Sequence, residues 1–96
     1  MSSLHIISKS PGSNVWLDCR KTLGNKDVVL LIEDGIYYGA LPGRLGELPR
    51  KVKVFALRDD VLARGMSDKL MDSAKLIGYD DFVQLCCDAE RCVSWF

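Results

Sequence analysis

The sequence predicts an α/β protein, a three-layer α/β/α sandwich around a small, mostly parallel sheet. Two observations carry that expectation. The stretch DVVLLIEDG (27–35) holds five consecutive apolar residues with no alternation, the pattern of a strand covered on both faces. Around it, strand-like runs alternate with short helical ones, and such βα alternation packs a parallel sheet between helices.

Taken in order, LHIISKS (4–10) is a short β-branched apolar run that ends in polar residues and Pro11-Gly12, which reads as strand and then turn. A helix over roughly 13–23 follows, because Trp16, Cys19 and Leu23 recur at i, i+3 and i+7, with Ser10 before Pro11, or Ser13, as its cap. Gly24 and Asn25 tolerate positive φ and are expected to stop it. The run 27–35 is then the central strand, IYYGAL (36–41) a short helix, and PGRLGELPR (42–50), with two prolines and two glycines, a loop. KVKVFALRDD (51–60) alternates and then turns apolar, a second strong strand; VLARGMSDKL (61–70) starts as a helical turn and breaks at Gly65. AKLIGY (74–79) reads as a short strand, and DDFVQLCCDAE (80–90) places Phe82, Leu85, Cys86 and Ala89 on one helical face. The chain closes on the apolar CVSWF (92–96), for which docking on its own body or on a partner is expected.

A length of 96 residues makes a single domain, 1–96, small enough that association with other chains is a natural way to bury more surface. Hydrophobic residues make up 48% of it, yet no apolar run approaches the roughly 18 residues of a membrane helix. The start, MSSLHIISKS, lacks the basic, apolar and small-residue order of a secretion signal, so a cytoplasmic location is expected. Thirteen basic and thirteen acidic residues balance, and the basic ones are scattered. A nucleic-acid surface needs an excess of positive charge, so direct nucleic-acid binding is disfavoured. A charge near zero also removes self-repulsion and favours a partnered chain, homo-oligomers included.

Cys19 stands between Asp18 and Arg20, with Lys21 next and Lys9 upstream. Cations stabilise a thiolate and make it a nucleophile; equally, Cys19 shares a stripe with Trp16 and Leu23, and free cysteine is among the most buried residue types. Cys86, Cys87 and Cys92 lack the Cys-x2–4-Cys spacing of a zinc site, since adjacent cysteines point to different helix faces, and are read as core or interface residues. Four cysteines without regular spacing in a reducing setting do not make a disulfide framework. Glu33 and Asp34 could form an acid/base pair or hold magnesium, but Asp34-Gly35 reads better as a turn whose carboxylate caps the next helical segment. Both that pair and Arg58-Asp59-Asp60 lie at carboxyl ends of strands, where α/β proteins place functional groups. His5, the single histidine, is read as a hydrogen-bonded core residue. No glycine pattern for nucleotide phosphates is present.

In order along the chain, LHIISKSP, LLIEDGIYYGAL, VFALRDDVLARG, IGYDDFVQL and the terminal SWF resemble the DsrH/TusB family, with LRDDVLARG (57–65) and YDDFVQL (79–85) the most distinctive blocks. The resemblance implies a DsrEFH-like three-layer fold in a subunit of a sulfur-relay complex, a dimer of heterotrimers with homologous DsrE/TusD-like and DsrF/TusC-like subunits. Such complexes take persulfide sulfur from a donor protein and hand it to an acceptor, serving either tRNA wobble-uridine 2-thiolation or intracellular sulfur oxidation. RNA contact is then expected from a downstream thiolase. The principal sulfur-carrying cysteine of these complexes belongs to the DsrE/TusD-type subunit, and many DsrH members carry a second candidate in the first helix, a position that Cys19 matches. The implied chemistry is persulfide exchange on Cys19, which requires no metal and no cofactor. The alternative is a non-catalytic assembly subunit in which Cys19 is core filler. Where the family often has a helix-forming segment, this chain has the Pro/Gly-rich 42–50.

Overall fold

A computed structural model describes residues 2–95. Five strands, β1 (Ser3–Ile7), β2 (Val28–Leu31), β3 (Lys53–Leu57), β4 (Ala74–Ile77) and β5 (Arg91–Trp95), form one sheet in the order β4-β3-β2-β1-β5. Every pairing is parallel. The helices are α1 (Val15–Thr22), a 3-10 segment (Glu33–Ala40), the single turn α2 (Pro42–Leu45), α3 (Arg58–Ala63) and α4 (Tyr79–Asp88).

β2 is central, as its unalternated run predicts: Val29, Leu30 and Leu31 are fully buried, so that both faces of the strand lie in core. Each such side chain contributes about 1.5–3 kcal/mol of transfer free energy. The register sorts the sheet into two faces. His5, Val29, Val54 and Ala74 form one row, and Trp95, Ile7, Leu31, Ala56 and Leu76 the next on the same face. That face packs with Trp16, Cys19, Ile36, Tyr38 and Val61 in the larger core cluster. On the opposite face Leu4, Leu30 and Ile77 pack with Ile6, Phe55, Phe82, Leu85, Cys86 and Ala89, the side-chain set that the helical stripe in 80–90 predicts.

The strand order explains why α4 stands alone on its face. From β1 to β4 the chain steps steadily in one direction, and residues of the intervening helical segments pack in the one larger cluster. From β4 it must return across the whole sheet to β5, and a parallel crossover of the same right hand then passes over the opposite face.

Several boundaries differ from expectation. The central strand stops at Leu31, and residues 33–40 coil as a 3-10 helix, since Gly35 is drawn against the β1 terminus: an added Cβ there would lie 2.8 Å from the Ile7 carbonyl carbon. β3 stops at Leu57, so Arg58-Asp59-Asp60 opens α3 and does not extend the strand. The break at Gly65 is real, with φ at +62°. The expected loop 42–50 contains one helical turn, started by Pro42. α1 ends without positive φ at Gly24 or Asn25: Leu23 turns extended, and Gly24 donates its N–H to the Asp27 carboxylate at 3.0 Å. Near its start the Ser13 hydroxyl accepts from Val15 N–H at 3.4 Å. The closing apolar stretch is a strand paired with β1, so Trp95 docks on the body of its own chain; Phe96 lies outside the described residues.

Candidate functional site

α1 turns Cys19 and Trp16 inward, where Cys19 is 1% exposed. Trp16 lies face to face with Tyr38, ring centroids 4.3 Å apart, and the Tyr38 hydroxyl donates to the Ser10 carbonyl at 3.3 Å. The cations beside Cys19 in sequence do not reach it. Successive helical residues point about 100° apart, so Arg20 turns outward and pairs with Glu47, while Lys21 is exposed. Burial, and secondarily the Asp27 carboxylate, push the Cys19 thiol up to about 12. The cationic stabilisation expected from its neighbours is therefore corrected: in this chain Cys19 is a protonated core thiol at neutral pH.

The two charged strand ends do meet, though not as expected. The Asp60 carboxylate accepts from Glu33 N–H at 2.7 Å, and Asp34 accepts from Arg64 at 3.3 Å. The expected capping by Asp34 is thus replaced by Asp60 reaching across from α3. Glu33 holds φ at +49°, in the left-handed region.

A buried network links three elements that the sequence leaves unconnected. His5 Nδ1 accepts from Trp95 Nε1–H at 3.0 Å, and His5 Nε2 lies 3.0 Å from Asp27 Oδ2. Indole nitrogen is a donor only, so its bond leaves the imidazole proton on Nε2, which donates to Asp27. Asp27 Oδ1 also accepts from Ser3 N–H at 2.9 Å. The core-histidine reading of His5 holds, with the residue 1% exposed. Its partners were not foreseen; the available signal was a lone aspartate placed directly before an apolar strand, DVVLL.

The remaining cysteines gather where α4 meets β5. Cys86 is half-buried against the sheet, whereas Cys87 and Cys92 are exposed. Among the described residues no three His, Cys, Asp or Glu side chains are grouped so as to hold a metal ion, and no helix is long and apolar enough to cross a membrane.

A sheet of this order, with one buried thiol on α1 and three more cysteines on α4 and β5, defines a small parallel α/β protein. The chain belongs to the DsrH family: the family described as DsrH like protein matches residues 9–92. Protein TusB of Pectobacterium carotovorum is 35% identical over 94 residues, covering 96% of this chain and 99% of that protein. Protein TusB of Escherichia coli is 31% identical over the same share of each. Among solved structures, Tm0979 of Thermotoga maritima superposes with a TM-score of 0.66 at 28% identity, covering 86% of this chain and 88% of that one. The ychN protein of Escherichia coli shares the fold, with a TM-score of 0.77 over 99% of this chain and 100% of that one at 19% identity.

Proposed function

We propose that this chain is a subunit of a cytoplasmic sulfur-relay complex, assembled with homologous DsrE/TusD-like and DsrF/TusC-like subunits, and that its contribution is structural. Membership of the DsrH family supports the relay. The likeness to proteins named TusB favours the branch that thiolates the tRNA wobble uridine, with this chain in the complex and the RNA handled elsewhere.

The observation that carries the division of labour is the burial of Cys19 with its thiol pushed up to about 12. A persulfide carrier must present a thiolate to a donor's outer sulfur. Cys19 offers neither access nor charge. In this reading the sulfur passes over thiols of the partner subunits, and Cys19 fills the space between α1 and the sheet.

The test is intact-mass spectrometry after incubation with a persulfide-loaded cysteine desulfurase, on the chain alone and on the reconstituted complex. Native chain and Cys19→Ala are expected to show the same sulfur uptake. A gain of one sulfur atom that disappears in Cys19→Ala makes Cys19 a carrier and overturns the structural role. Size-exclusion chromatography of the three chains mixed tests assembly, and failure to co-elute overturns the relay-subunit reading itself.

A further inference from the structure

Cys92 and Cys86 approach each other from opposite sides of the α4–sheet contact. Cys92 stands opposite Leu4 in the β1–β5 register, and Leu4 belongs to the face that α4 covers, so the Cys92 side chain rises on that face too. Cys86 comes down onto the same face from the last turn of α4. The Cys92 thiol points at the last turn of α4, its sulfur 3.9 Å from the Cys86 carbonyl oxygen. The connection between them is itself held: Glu90 N–H donates to the Ser2 carbonyl, and Ser2 N–H donates to the Glu90 carboxylate, each at 3.1 Å. Cys87 turns away from the sheet and is exposed.

We propose that Cys86 and Cys92 are a redox-active dithiol that closes into an intrachain disulfide by exchange with a low-molecular-weight disulfide. Cys92, the exposed member, enters first. Its thiolate attacks one sulfur of the small disulfide, forms a mixed disulfide and expels one thiolate. Cys86 then loses its proton to solvent and attacks the Cys92 sulfur, forming the Cys86–Cys92 bond and expelling the second thiolate. Two protein thiols are oxidised by two electrons, and one small disulfide is reduced to two thiols. The order follows from the surroundings: burial chiefly, and the neighbouring cysteines, push the Cys86 thiol up, so it is the poorer first attacker. Short sequence separation and an anchored turn keep the second step intramolecular and fast against competition by the external thiol.

The proposal goes beyond the relay reading and does not depend on it, because the test involves neither partner subunits nor persulfide. The reduced full chain is incubated with glutathione disulfide, quenched with acid and analysed by intact mass and non-reducing peptide mapping. The expected main product is lighter by two hydrogens and carries a Cys86–Cys92 link. Cys86→Ser is expected to stop at a glutathione adduct on Cys92, and Cys87→Ser to close as the native chain does. Closure of the mixed disulfide is expected to accelerate up to about tenfold per pH unit while Cys86 remains mostly protonated. Glutathione adducts accumulating on Cys92 and Cys87 of the native chain without loss of two hydrogens overturn the proposal, as does a link that involves Cys87. Should Cys86→Ser fold poorly, the Cys87→Ser map decides alone.

Discussion

Replacing Asp27 by asparagine tests the buried network. The native carboxylate accepts from Ser3 N–H on Oδ1, and from Gly24 N–H and His5 Nε2 on Oδ2. An amide has one acceptor oxygen, so its NH2 must face either Ser3 N–H or both of the other donors. His5 has no relief by switching tautomer, because a proton on Nδ1 would then face Trp95 Nε1–H. The less costly orientation strands the buried Ser3 N–H, about 1–3 kcal/mol, and strips charge assistance from the two remaining bonds. The sum is about 2–4 kcal/mol, a fall of about 2 M in the urea midpoint for a domain of this size. The pH dependence carries a sign. Burial pushes the Asp27 carboxyl up, but hydrogen bonds from Gly24, Ser3 and His5 outweigh it and hold the group below the ordinary 3.8. A lowered carboxyl contributes stability that is fully present above the unfolded value and is lost as the pH falls through the folded one. Urea titrations of native chain and Asp27→Asn should therefore differ by a constant amount from neutral pH down to about 4 and converge below it. Equal midpoints at neutral pH, or a gap that widens on acidification, refute the network's role.

Four further outcomes follow from individual positions. Gly35→Ala should cost about 3 kcal/mol or more, because its Cβ would collide with the Ile7 backbone, whereas Gly43→Ala, with open space around it, should gain about 0.4–1 kcal/mol; thermal melts of the two variants should move in opposite directions. At Glu33, held at φ +49°, Glu33→Gly should leave stability unchanged or raise it, while Glu33→Val should lower it by about 1–2 kcal/mol, and a common sign in denaturant titrations would count against backbone strain there. Cys87 and Cys92 should react promptly with an aromatic disulfide reagent, with Cys19 reacting only at the rate of unfolding. Because the Cys19 thiol is raised from 9.0 to about 12, its stabilisation is complete below pH 9 and is lost as the pH rises. Stability of the native chain should then fall relative to Cys19→Ala by up to about 1.4 kcal/mol per pH unit in that range; parallel alkaline profiles would place the thiol in solvent.

What could be read from the sequence follows the range of the interactions involved. VVLLI announces a strand buried on both sides because burial acts on every residue of the run, and the Phe82, Leu85, Cys86, Ala89 stripe announces the packing face of α4 for the same reason. Where one contact made at a distance decides, local pattern fails. Asp34 looks like the cap of the segment that follows it, but Asp60, 27 residues on from Glu33, takes that N–H. Arg20 and Lys21 look like the electrostatic partners of Cys19 because they are adjacent in sequence, and helical geometry turns adjacency into divergence. The charge that Cys19 does feel belongs to Asp27, and that of Asp27 is tied through His5 to Trp95, 90 residues away from the histidine. That tie depends on the return crossover of α4, which brings β5 beside β1 and so sets Trp95 on the row of Ile7, next to the His5 row. The same crossover brings Cys92 under Cys86. Family likeness directs attention to the first helix, but the strand order places the accessible thiols at the other end of the chain, where neither spacing nor periodicity marks them as a pair.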